Sequence, residues 1–141
     1  MKKIIALRGR ADTGKSSTIR NVYEILQKKY PDAQFVASNK GNKVDVSGVL
    51  TINDVKVGIE AWGDPNGQLK VSLQFFVEID CRVIVCATRT RGSTVDAVNA
   101  LKKHDYEVSW KQQIVYPDAP IQKRGNLEMA NNIVEEVIGL L

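Results

Sequence analysis

The sequence predicts an α/β domain of three layers, with a mostly parallel central sheet and a β-hairpin that adds an antiparallel edge strand. Three observations carry that prediction. Two short apolar runs, residues 3–8 and 82–87, suit strands buried on both faces. Segments whose apolar residues recur at spacings of three and four alternate with them, as crossover helices do. Between the two runs lies an alternating pair of segments joined by Asn53-Asp54, the pattern of a hairpin. A chain of 141 residues is long enough for one domain with a real core, so residues 1–141 are read as a single unit.

The first strand, Lys3-Ile4-Ile5-Ala6-Leu7-Arg8, runs into Gly9-Arg10-Ala11-Asp12-Thr13-Gly14-Lys15-Ser16. A helix follows, with Ile19, Val22, Tyr23 and Leu26 on one face, and Pro31 limits it near Tyr30. Residues 34–37 read as a short extended piece. In the hairpin, Val44, Val46, Leu50 and Ile52 alternate, then Val55, Val57, Ile59 and Ala61. A tight turn pairs Ile52 with Val55 and Leu50 with Val57, turns their face inward, and points Glu60 and Trp62 the other way.

Gly63-Asp64-Pro65-Asn66-Gly67 is a loop by composition. The second helix buries Leu69, Leu73, Phe76 and Val77, and the strand over residues 82–87 ends in the polar, basic stretch 88–94. Ser93 or Thr94 is expected to cap a third helix carrying Val95, Val98 and Leu101. Residues 108–116 read as a last strand, residues 116–120 as a loop. The final amphipathic helix shows Leu127, Ala130, Ile133, Val134, Val137, Ile138 and Leu141 on its apolar side.

The net charge is +4, with the basic excess concentrated before residue 44. No run of five basic residues occurs, so an anionic nucleotide is favoured over nucleic acid as ligand, with nucleic acid kept as a possible partner. The apolar run after Met1-Lys2-Lys3 is too short for a signal peptide, and no segment reaches membrane-spanning length. Cys81 and Cys86, five positions apart in a predicted strand, are expected on opposite faces as free thiols in a reducing cytoplasm. His104 stands alone and is not read as a metal ligand.

Residues 9–16 match the phosphate-binding pattern G-x-x-x-x-G-K-[ST] in full. Its glycines let the backbone curl so that the N–H groups of Gly9, Arg10, Ala11, Asp12, Thr13 and Gly14 face a polyphosphate. Lys15 reaches the β- and γ-phosphates, Ser16 offers a hydroxyl to Mg²⁺, and Ser17 continues the site into the helix, whose dipole favours the anion.

Ligands of open α/β sheets sit at the carboxyl ends of the strands, which directs attention to loops 9–17, 62–67, 88–94 and 116–120. Glu60 and Asp64 are candidates to hold Mg²⁺ through water or to orient the attacking oxygen, with Gly63 offering its N–H to the γ-phosphate. Arg89 and Arg91 are candidates to clamp phosphate oxygens and stabilise charge in transfer. Tyr116 and Pro117 are candidates to pack on the base.

Residues 9–17 together with the sheet pattern resemble the P-loop NTPase superfamily. The hairpin followed by Glu60-Ala61-Trp62-Gly63 is similar in layout to the small GTPases, whose D-x-x-G places an acid near Mg²⁺ and a glycine N–H on the γ-phosphate. Their guanine-reading N-K-x-D is missing; Tyr116-Pro117-Asp118-Ala119 follows the last strand instead, which tilts the nucleotide toward ATP. Arg89 and Arg91 resemble the phosphate-clamping arginines of small-molecule and nucleotide kinases. The resemblance implies a P-loop domain that uses Mg²⁺ and ATP to hydrolyse or transfer the γ-phosphate. Its rivals are a nucleotide-sensing module with slow turnover and a nucleic-acid-linked ATPase. Neither the phosphate acceptor, nor a protein partner, nor the oligomeric state is legible in the sequence.

Overall fold

A computed structural model describes residues 1–38, 46–62 and 68–141. Six strands form one mixed sheet: β1 (Lys2–Arg8), β2 (Gln34–Ala37), β3 (Ser47–Ile52), β4 (Val55–Glu60), β5 (Val83–Thr88) and β6 (Tyr106–Gln112). Their spatial order is β2-β3-β4-β5-β1-β6. The neighbours β4–β5, β5–β1 and β1–β6 run parallel, while β2–β3 and β3–β4 are antiparallel. The antiparallel region is larger than one hairpin strand, because the short segment 34–37 pairs on to β3.

Helices cover both faces. On one side α1 (Lys15–Lys29) and α4 (Ala119–Ile138) meet the inward residues of the central strands: Ile19, Val22 and Leu26 with Ala130, Ile133, Val134 and Val137, against Ile5, Leu7, Val83 and Val85. On the other, α2 (Gln68–Glu78) and α3 (Ser93–Asn99), the latter continued by a 3₁₀ turn (Ala100–His104), cover Ile4, Ala6, Ile84 and Cys86. Alternate residues of β1 and β5 thus serve two different cores, which is why both strands read as unbroken apolar runs. Leu127 departs from the expected apolar stripe of α4 and is 46 % exposed.

The hairpin register is the expected one, Ile52 opposite Val55 and Leu50 opposite Val57. Asn53 and Asp54 both take positive φ (49° and 70°), the conformation a two-residue primed turn demands and that Asn and Asp tolerate best after glycine. Val44 lies outside the described residues. Gly58 permits the close approach of α2: a Cβ there would stand 2.7 Å from the Phe76 ring.

Three local expectations are corrected. Cys81 precedes β5 instead of lying in it, so strand alternation does not apply, and both buried thiols join the same core as α2 and α3. Neither Ser93 nor Thr94 caps α3: the residue before that helix is Gly92, and the Thr94 hydroxyl accepts the Arg89 backbone N–H at 2.9 Å. The last strand covers Tyr106–Gln112 rather than 108–116, and α4 already begins at Ala119, capped by the Asp118 carboxylate at Ile121 N (2.9 Å) with a proline in its first turn. No helix among the described residues is long and apolar enough to cross a membrane.

Candidate phosphate site at the switch between two parallel strands

Strands β1 and β5 are neighbours, yet the chain leaves their carboxyl ends toward opposite faces, β1 into α1 and β5 into α3. That divergence opens the crevice where parallel sheets bind ligands. Residues 9–14 fill its lip, and the Gly9 N–H donates to the Thr88 carbonyl across it at 3.1 Å.

The loop is a compact turn. Asp12 (φ 58°) and Gly14 (φ 94°) both take left-handed backbone, and the Thr13 hydroxyl donates to the Arg10 carbonyl at 2.7 Å. Arg10, Ala11, Asp12 and Ser17 are exposed, Thr13, Gly14 and Ser16 half-buried, and Gly9 and Lys15 buried. Lys15 folds back across the turn, its Nζ donating to the Gly9 carbonyl at 2.5 Å and to the Arg10 carbonyl at 2.8 Å.

Half-buried Arg89 stands close enough to act on that ammonium. Burial first, then the Arg89 guanidinium, lower Lys15 from 10.5 to about 8, and the Asp12 carboxylate pulls the other way. Two cations thus share the crevice with an exposed carboxylate, beside the positive end of α1. Arg91, two residues on, is exposed. The structure therefore brings Lys15, Arg89, Asp12 and Ser16 into one neighbourhood.

Glu60 sits elsewhere. Strand β5 lies between β4 and β1, and Glu60 is level with Cys86 and Ala6. That places it two strands across and three residues short of Gly9, about 14 Å away. Its buried carboxylate accepts from the Ser47 hydroxyl (2.8 Å), the Ser72 hydroxyl (2.5 Å) and the Trp62 N–H (3.1 Å), tying α2 to the hairpin and to the start of the following loop. Gly63 and Asp64 lie outside the described residues. Tyr116 is half-buried with its ring against the Cα of Gly125 on α4, its N–H donating to Gln122 Oε1 at 2.7 Å; Pro117 is exposed.

Sequence reasoning passed over three polar residues that border the loop. Gln113, which directly follows β6, continues the β1 ladder by donating its N–H to the Arg8 carbonyl at 2.8 Å. Its buried side chain donates to the Thr13 carbonyl (2.9 Å) and to Asn126 Oδ1 (2.8 Å), and accepts from the Thr18 hydroxyl (3.0 Å). The signal was Lys111-Gln112-Gln113, a polar stretch inside the strand read over residues 108–116.

Mg²⁺ is the metal that the phosphate-loop pattern implies. The Ser16 hydroxyl on the first turn of α1 suits it, since Mg²⁺ takes few protein ligands and completes its shell with phosphate oxygens and water. Glu60 does not suit direct ligation, being distant and already accepting three hydrogen bonds. Among the described residues no three His, Cys, Asp or Glu side chains cluster as a metal site of their own. Comparison with models of protein families, with curated proteins and with solved structures finds no match to this chain.

Proposed function

We propose that this chain is a cytoplasmic P-loop NTPase that binds Mg²⁺ and ATP and hydrolyses or transfers the γ-phosphate. One observation carries the reading. Lys15, on the first turn of α1, and Arg89, one residue past the Thr88 carbonyl that accepts the Gly9 N–H, border one crevice, and burial and the neighbouring cation lower the lysine's pKa. Such a cationic pair gains from a polyanion, whose charge neutralises both groups at once. The match of residues 9–16 to the phosphate-loop pattern supports the same ligand.

In this reading Lys15 exchanges its two carbonyl partners for phosphate oxygens. Arg89, at the end of the neighbouring strand, stabilises charge on the transferred group. Ser16 holds Mg²⁺, which when bound neutralises the bridging phosphate oxygens. Glu60 anchors the start of the loop after β4 instead of touching the metal, which leaves Asp64 as the acid for metal or nucleophile. The two buried thiols fit a reducing compartment.

The test is titration of the purified chain with ATP, GTP and tripolyphosphate in the presence of Mg²⁺, followed by a phosphate-release assay with and without small-molecule acceptors, DNA or RNA. Binding of ATP that Lys15→Ala weakens about a hundred-fold or more supports the reading. Equal affinity in Lys15→Ala removes it. Acceptor-stimulated transfer would mark a kinase, stimulation by nucleic acid a linked ATPase, and binding with little turnover a sensor.

A further inference from the structure

We propose that Gln113 is a positioning residue of the phosphate site, whose side-chain amide fixes the orientation of the Thr13–Gly14 peptide. The inference rests on the phosphate-binding reading of the loop. The Thr13 carbonyl can only accept, so the Gln113 group facing it at 2.9 Å is the NH₂. Its second hydrogen goes to Asn126 Oδ1, and its oxygen takes the Thr18 hydroxyl. Asn126 Oδ1 also accepts from Gln122 Nε2 at 2.8 Å. The amide is therefore held from α1 and from α4, while the main-chain N–H of Gln113 fixes the residue to the ladder of β1.

A trans peptide is planar, with its C=O and N–H antiparallel. Tethering the Thr13 carbonyl toward Gln113 aims the Gly14 N–H the opposite way, away from the buried amide cluster. Gly14 in left-handed backbone could otherwise turn over at little cost, because glycine accepts either sign of φ. Reversal would swap an N–H for a carbonyl oxygen, an acceptor against an anion. The space is also filled: a Cβ on Gly14 would lie 3.0 Å from Asn126 Nδ2 and 3.2 Å from Gln113 Nε2. Gln113 thus decides which pole of one peptide meets the phosphate, and Asn126 and Gln122 carry that choice into α4.

Gln113→Met keeps length and removes both donors; Gln113→Glu keeps shape and the acceptor for Thr18 but faces the Thr13 carbonyl with oxygen. Two readouts apply. In the protein without nucleotide, the ¹⁵N–¹H signal and hydrogen exchange of Gly14 are compared with exchange at Ile84 and Val85 in the core. With Mg²⁺ present, affinity for tripolyphosphate and for ATP is measured. Expected in both variants are a shifted or split Gly14 signal, slower exchange there as its N–H turns part of the time toward the buried cluster, exchange at Ile84 and Val85 unchanged, and about ten-fold weaker tripolyphosphate binding. If one variant does not fold, the other decides. An unchanged Gly14 signal together with affinity within two-fold of the parent would overturn the proposal. A parent protein that binds neither ligand fails the phosphate reading alone, since the Gly14 measurement still reports whether Gln113 holds the peptide.

Discussion

Lys15→Met tests the electrostatics of the crevice without any ligand. Lys15 stands at about 8 instead of 10.5 because its ammonium is buried and feels the Arg89 charge. Between those two values the unfolded chain binds the proton that the folded state has released, so stability rises with pH across that window. From pH 7 to pH 9.5 this amounts to about 2 kcal/mol, and to about 1 kcal/mol if water screens half of the effect.

Other buried groups work in the opposite sense. Burial raises Cys81 and Tyr106 to about 12 and pushes Cys86 higher still. These groups keep protons in the folded state that the unfolded chain sheds, which lowers stability as pH rises through their ordinary ranges. The difference between parent and Lys15→Met cancels that contribution. Urea unfolding followed by tryptophan fluorescence at pH 7, 8, 9 and 9.5 gives the difference directly. It should move in the parent's favour by about 1–2 kcal/mol between the two ends. A difference that does not change with pH would refute the claim that burial and Arg89 act on Lys15.

Three further outcomes are expected. Arg89→Ala should lower turnover about a hundred-fold, whereas exposed Arg91→Ala should leave it within two-fold in the same assay; equal effects would break the assignment of the crevice to Arg89. Gly58→Ala should cost about 1–3 kcal/mol in urea unfolding, since the new Cβ would meet the Phe76 ring at 2.7 Å and force β4 and α2 apart. Asp118→Ala should cost about 1 kcal/mol by removing the cap at Ile121 N, while Asp118→Asn should retain most of it.

Much of the fold was legible because its signals are local. The end of α1 near Tyr30-Pro31, the extended segment 34–37 and the hairpin register follow from proline geometry, strand alternation and the preference of Asn-Asp for positive φ. The loop pattern was legible for the same reason, since its constraints lie within eight consecutive residues. Errors arose where a residue's partner is remote. Thr94 reads as a cap but serves the Arg89 backbone, and Cys81 reads as strand although the chain is still turning beneath the Tyr106 hydroxyl, which donates to its carbonyl.

Sequence alone determined the candidate phosphate loop, the alternation of strands and helices that frames it, and the apolar faces that close the two cores. Only the tertiary structure decided which groups share the crevice. Strand order is set by long-range pairing that no local pattern encodes, and placing β5 between β1 and β4 puts Arg89 beside Lys15 while holding Glu60 two strands away. The same pairing seats Gln113 against the loop from a strand about a hundred residues further along the chain, a contact that exists only once β6 has added to β1.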